Sequence, residues 1–362
     1  RGAGDRPYCA TVVSMVVADD WAWALGPPAA TGRLRSTPAD FQVTEIPLVE
    51  PSGEGRHLWL EIEKTGANTD WVAAQLARAA GAPRRDVGYA GLKDRDAVTR
   101  QWFSVGLQEA ERDDWRTWSI EGVTVIAAHL HERKLQRGAL RGNRFGLVVR
   151  ELRDDAGDLE VRLQAVAARG VPNYFGPQRF GHGGRNVERA MHWLEHGGRI
   201  RRPTRGIYLS ALRSLLFNRV LSVRVADGSW DRLLDGDIAQ LDGSRALFEC
   251  TLPDDTLERR CAEFDIHPTG PLPGRGGKRP ARDAAACEER ILDADRSLIA
   301  ALERAGLDAA RRSLRLVPRG FEWSRNGATL ELAFELPAGG YATTVLRELV
   351  SVANGTILMA SE

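Results

Sequence analysis

The sequence predicts an α+β fold: a mixed, mainly antiparallel sheet flanked by helices and interrupted by an inserted, largely helical α/β domain. Three observations carry that expectation. Stretches alternating apolar and polar residues fill the chain up to about residue 170 and return near Leu314. Helical spacing dominates the segment between them. The strands also fail to alternate regularly with helices, as a parallel βαβ sheet would require. A length of 362 residues exceeds what one domain usually holds. The expected boundaries are 31–170 plus 317–362 for the sheet-bearing domain and 171–316 for the insertion.

FQVTEI, residues 41–46, alternates apolar and polar residues and reads as a short strand. SGEGR turns the chain, and HLWLEIEK then sets Leu58, Leu60 and Ile62 on one face, with His57, Trp59, Glu61 and Glu63 on the other. NTDWVAAQLARAAG opens on cap-type residues and spaces Val72, Leu76 and Ala79 helically, with Gly81 as a stop. GYAGLKDRDA reads as a loop that TRQWFSV leaves as a strand. VTVIAAHLHER and NRFGLVVREL are strand-like, and DLEVRLQAVAARG is helical.

After VPNYFGPQRFGHGG the texture changes. RNVERAMHWLEHGG, LSALRSLLFNRVLSVRV and CEERILDADRSLIAALERAGL are helical in pattern. HPTGPLPGRGGKRP, rich in Gly and Pro, is expected to be a loop. SLRLVPRGFEW and ATLELAFELP restore strands, and TTVLRELVSV is expected to close as a helix capped by Thr343 or Thr344.

Fifty basic against 49 acidic residues leave a net charge of +1, so the total charge points to no polyanion. Its distribution does. Only Lys64, Lys93, Lys134 and Lys278 are lysines, which leaves 46 of the 50 cations as arginine, a planar fork suited to phosphate and base edges. Basic clusters at 131–145, 199–205 and 311–315 suggest segregated charge and a polyanionic partner.

Other classes of chemistry find no support. GPLPGRGGKRP fails the phosphate-loop spacing, because Leu272 stands where the first glycine belongs and Arg279 replaces Ser or Thr. His129 and His131 alternate along a strand without a third ligand, and Cys9, Cys250, Cys261 and Cys287 have no CxxC spacing, so no metal is expected. Neither GxSxG nor HExxH occurs. YCATVVSMVV imitates a signal peptide but is short and runs into Asp19-Asp20. No stretch approaches the roughly 18–20 apolar residues of a membrane span. Scattered thiols and the missing span make a cytoplasmic protein the expectation. The chain opens on Arg1, not Met, so residues 1–30 are expected to form an N-terminal segment with a non-native start.

The densest chemical signal is GYAGLKDRDAVTRQWFS, residues 88–104. Asp94 and Asp96 sit among Lys93, Arg95 and Arg100, after two glycines and before an aromatic pair. Neighbouring cations favour the ionised form of a carboxylate, and covalent attack by aspartate is established chemistry. The bland alternative is a solvated turn with incidental ion pairs, and composition does not say which aspartate acts. Phe145 alternates with Leu147 and Val149 and so reads as core, although a ring opening a strand after a basic loop can also receive a splayed base.

GYAGLKDRDAVTRQWF closely resembles the signature of the TruD family of tRNA pseudouridine synthases, in which AGxKD precedes a T-x-QW element. VPNYFGPQRFG is similar to that family's second hallmark, at the start of its inserted domain. PADFQVTEI with SGEGRHLWL, RGNRFGLVVRE, LSALRSLLFN and LPAGGYATTVLREL match further blocks in the same order, over roughly residues 31 to 355.

The resemblance implies a pseudouridine-synthase-type catalytic domain at 31–170 plus 317–362 and a TRUD-type insertion at 171–316. It implies isomerisation of uridine to pseudouridine at position 13 of tRNA, by a monomer with no cofactor and no metal. Asp94 aligns with the catalytic aspartate, while Asp96 falls where the family varies. The carboxylate would attack C1′ of the ribose or C6 of the base, or promote loss of a C2′ proton. Asn143 and Phe145 match the active-site asparagine and its aromatic, and Lys93, Arg35, Glu45 and Arg347 match further substrate-binding positions. Arg35 departs from the lysine often found at its position, which matters because a guanidinium and an ammonium differ in geometry. The alternative on the same architecture is a non-catalytic RNA-binding or RNA-folding protein, against which the intact Lys93, Asp94, Asn143 and Phe145 speak.

Overall fold

The computed structural model of the chain describes residues 21–106 and 114–354. The signal-like stretch, Cys9 and the first twenty residues of the N-terminal segment lie outside the described residues. In chain order the first elements are β1 (Thr31–Leu34), β2 (Phe41–Pro47), β3 (His57–Lys64), α1 (Thr69–Ala79), β4 (Val87–Tyr89), β5 (Val98–Gly106), β6 (Val123–His131), β7 (Leu140–Arg153) and α2 (Leu159–Arg169). The middle of the chain forms β8 (Val171–Pro172), α3 (Arg185–His196), α4 (Arg202–Ala226), β9 (Asp237–Leu241), β10 (Leu247–Cys250), α5 (Asp255–Ala262) and β11 (Ile266–Leu272). Then come α6 (Arg282–Leu292), α7 (Arg296–Arg304), β12 (Ala310–Ser313), β13 (Arg315–Leu316), β14 (Arg319–Asn326), β15 (Thr329–Pro337), α8 (Ala342–Leu349) and β16 (Ser351–Asn354).

The chain divides into two compact units. Of the described residues, one holds 28–106, 114–163, 318–342 and 349–354, and the other 21–27, 164–317 and 343–348. The first is built on a ten-stranded sheet in the order β14-β15-β7-β2-β5-β3-β6, with β4 on β5 and β1 between β7 and β16. The β2–β5 and β1–β16 ladders are parallel. The other ladders of this sheet are antiparallel. The fold is therefore α+β with a mixed, mainly antiparallel sheet. Helix α1 covers one face, packing Val72, Ala73 and Leu76 with Leu58, Leu60 and Ile62 of β3 and Phe103 of β5. Each of the Val, Leu, Ile and Phe side chains among them contributes about 1.5–3 kcal/mol by leaving water.

The second unit carries a smaller sheet, β10-β9-β11-β12, together with helices α3 to α7. Its longest helix, α4, buries Leu212, Leu215, Leu216, Phe217 and Val220.

Three elements differ from the sequence expectation. HPTGPLPGRGGKRP is not all loop, because Ile266–Leu272 is the buried strand β11. Two prolines are tolerated there because the ladder changes sides. Ile266 to Pro268 pair with β9, whereas Thr269 to Leu272 pair with β12, so each proline has a ladder partner on one edge only and its missing N–H can face the other. The single helix expected from Cys287 to Leu307 is broken at Asp293–Asp295, where the buried Asp295 accepts from Arg219 of α4. The closing segment is split as well. Helix α8 begins at Ala342, which places Thr343 and Thr344 inside it and not at its cap, and Ser351–Asn354 forms a strand parallel to β1.

Candidate active site

Strand β5 is entered through the loop 90–97, and that loop lifts its acidic residue out of the sheet. Asp94 is 36% exposed at its side chain, and its Oδ2 accepts from Nη2 of Arg35 at 2.7 Å. The other carboxylate oxygen accepts the backbone N–H of Asp96 at 3.2 Å, so Asp96 contributes here through its main chain. Both oxygens are thus directed while the group stays open to solvent.

Arg35 follows β1 directly and has φ +60°, a left-handed conformation uncommon for a side-chain-bearing residue. The turn aims the guanidinium across the ring of Phe41, 4.2 Å from its centroid. Phe41 in turn meets Phe145 edge-on at 6.4 Å, and Phe145 stacks on Phe334 at 5.6 Å. Phe145 keeps 7% of its surface exposed. The rings form an apolar row beneath the arginine that holds the carboxylate.

Lys93, one residue before Asp94, turns the opposite way. Its Nζ donates to Oε2 of Glu45 at 2.6 Å, and both side chains are almost wholly enclosed. Glu45 Oε1 also accepts the N–H of Trp102 at 3.4 Å, which ties the pair to β5. In the β2–β7 ladder Glu45 lies opposite Asn143, as Val43 lies opposite Phe145. The Asn143 Oδ1 is enclosed and, among the described residues, has no hydrogen-bond partner.

Gly88, in β4, and Gly91, in the loop, are glycine for different reasons. A side chain at Gly88 would come within 2.3 Å of the Leu135 carbonyl oxygen, so packing requires glycine there. At Gly91 the nearest atom, Lys93 Nζ, lies 3.6 Å away, an ordinary contact.

The architecture agrees with the comparisons. The model of the family tRNA pseudouridine synthase D (TruD) matches residues 22–191 and 185–349. The chain belongs to the tRNA pseudouridine synthase D family. That family consists of isomerases that convert uridine to pseudouridine in tRNA. A tRNA pseudouridine synthase D of Methylococcus capsulatus is 49% identical over 334 residues, covering 92% of this chain and 94% of the relative. One from Nitrosococcus oceani is 49% identical over 330 residues, covering 90% and 92%. A Methanosarcina mazei protein solved as a candidate tRNA pseudouridine synthase D shares the fold, with a TM-score of 0.70, 20% identity, and coverage of 90% of this chain and 95% of that one.

In this member of the tRNA pseudouridine synthase D family, Arg35, Glu45, Lys93, Asp94, Asn143 and Phe145 all lie in the unit of the large sheet. Arg347 belongs to the other unit. There its guanidinium donates to the carbonyls of Trp21 and Ala22 and lies 3.5 Å from the centroid of the Trp23 ring. The cluster at 311–315 is not a basic surface. Arg311 is paired with Glu288, Arg312 donates to Asn173, and Arg315 is 4% exposed and donates to the Cys261 and Ile266 carbonyls. Among the described residues no group of three or more His, Cys, Asp or Glu side chains is arranged to hold a metal ion. None of the described helices is long and apolar enough to cross a membrane.

Sequence reasoning missed Lys64. Its side chain is 1% exposed and its Nζ donates to the carbonyls of Ala67 at 2.8 Å and Asp94 at 2.9 Å. Burial lowers its pKa to about 8, with the Lys93 charge acting in the same direction and Asp94 opposing. The signal was present in HLWLEIEK, since Lys64 continues the inward-facing series Leu58, Leu60, Ile62.

Proposed function

We propose that the chain isomerises uridine at position 13 of tRNA to pseudouridine, with the Asp94 carboxylate acting on a uridine turned out of its stack. The observation that carries this reading is the solvent-open carboxylate of Asp94, fixed by Arg35 at 2.7 Å above the Phe41–Phe145–Phe334 row. The conversion is internally balanced. The C1′–N1 bond breaks, a C1′–C5 bond forms, C5 loses a proton and N1 gains one, so neither a cofactor nor a redox partner is called for. Attack at C1′ of the ribose, attack at C6 of the base and removal of a C2′ proton all place a carboxylate oxygen at the nucleoside.

Extruding the uridine costs on the order of a few kcal/mol in lost stacking. Contacts that form only with the extruded base can offset that. The enclosed Asn143 Oδ1 would accept a hydrogen bond from the base, and the exposed part of Phe145 would supply an apolar wall. The buried Lys93–Glu45 pair would anchor the loop from within while Asp94 faces the substrate. The protein would work in the cytoplasm, as a monomer on tRNA.

The test is to treat bulk tRNA lacking the modification with purified protein and map pseudouridine by nucleotide. A new pseudouridine confined to position 13 is expected. Product at other positions would overturn the site assignment, and binding of tRNA without product would favour the RNA-folding alternative.

A further inference from the structure

We infer that Lys64 is a positioning residue for catalysis, its ammonium clasping the loop that presents Asp94. This rests on the reading of Asp94 as the acting carboxylate. Lys64 closes β3 on the side that faces α1, where the preceding inward positions are Leu58, Leu60 and Ile62. Placing an ammonium at such a position costs several kcal/mol unless it is well satisfied. Among the described residues it has no ion-pair partner within 4 Å. Its Nζ donates instead to two main-chain carbonyls, one from the turn before α1 and one from Asp94 itself.

The clasp has neighbours that act on the same loop. Three consecutive residues are held by the segment 64–69. The Lys93 N–H donates to Thr69 Oγ1 at 3.0 Å, the Asp94 carbonyl accepts from Lys64 Nζ, and the Arg95 carbonyl accepts the Gly66 N–H at 3.1 Å. Arg95 Nε returns a bond to the Gly66 carbonyl at 3.0 Å. Gly66 has φ +70°, which lets the turn reach this position without strain. Thr69 is itself fixed by donating to Gln101 Oε1 of β5. The backbone of Asp94 is thereby tied to a strand and a helix start, while its carboxylate remains free to meet a substrate.

Charge adds to geometry. The charged groups that act on the ammonium are the Asp94 carboxylate and the Lys93 ammonium, and its ladder partners Thr99 and Val123 are neutral. A cation enclosed beneath the loop therefore acts on the carboxylate from below while Arg35 holds it from the side. A shift of the loop by about 1 Å can cost on the order of a hundredfold in rate, and a buried amine with two bonds in place resists such a shift.

The experiment compares single-turnover rate and tRNA affinity for the wild type, Lys64→Met, Lys64→Arg and Asp94→Asn, each checked for cooperative unfolding. Lys64→Met keeps the apolar stem and removes the donor. The expected result is a rate lower by about a hundredfold with affinity changed by less than about threefold, and partial recovery in Lys64→Arg. A folded Lys64→Met with a rate near wild type would overturn the inference, and so would equal losses of rate and affinity. Should Lys64→Met fail to fold, Thr69→Val decides, since it removes the acceptor for the Lys93 N–H. A rate lower by about tenfold at unchanged affinity supports the clasp, and an unchanged rate overturns it. Product formation by Asp94→Asn would defeat the reading of Asp94, whereas an inactive Asp94→Asn beside an active Lys64→Met would defeat only the role given to Lys64.

Discussion

Two arginine–aspartate pairs, one in each unit, do different work. In the unit carrying the smaller sheet, Arg224 and Asp237 are 3% and 0% exposed, and their remaining hydrogen-bonding capacity is used locally. Arg224 also donates to the carbonyls of Ser229 and Arg232, and Asp237 accepts the N–H of Leu234. In the unit of the large sheet, Arg35 and Asp94 are 17% and 36% exposed, and the carboxylate has room for another partner. The difference teaches how to read an arginine-rich chain. Many of its cations satisfy internal carbonyls and carboxylates, so arginine content alone does not mark a surface for RNA. A pair that fixes a carboxylate without enclosing it is the informative case.

That contrast is broken most forcefully at the enclosed pair. Arg224→Ala leaves Asp237 buried without its cation, and about 3–5 kcal/mol of stability should disappear. Denaturant unfolding measures it, and a loss below about 1 kcal/mol would mean the pair is not structural. At the open pair the effects should reverse. Arg35→Ala should lower the single-turnover rate by roughly a hundredfold, the scale of a misplaced reacting group, while unfolding free energy changes by about 1 kcal/mol or less. Large destabilisation with normal chemistry would make the two pairs alike.

The smallest effect concerns cations that satisfy no internal acceptor. Arg133 and Arg141 lie on the exposed surface of the expected basic segment, and neither forms an ion pair among the described residues. Each change to alanine should lower the salt slope of tRNA binding by about one, against an unchanged slope for Arg312→Ala, whose side chain donates to Asn173. Equal slopes in all three would exclude 131–145 from the phosphate path.

Much of this was legible in the residues. Strands at 41–47 and 57–64 announce themselves by alternation, because one sheet face is packed by α1. The loop 90–97 stands out because glycine, cations and acids crowd between two strands. What stayed hidden depends on distant partners. Nothing near 311–315 says that Glu288, Asn173 and the Cys261 carbonyl will consume its arginines. Nothing near Pro268 says that the ladder will change sides there. The alternation of HLWLEIEK carries Lys64 inward, but that direction acquires meaning only once Asp94 is seen to supply the acceptor.

The most direct measurement is single-turnover formation of pseudouridine by Asp94→Asn beside wild type, with tRNA affinity determined on the same samples. Loss of detectable product at nearly unchanged affinity is the predicted result. Pseudouridine formed at an appreciable rate by a folded, tRNA-binding Asp94→Asn would contradict the account and move the chemistry to another group.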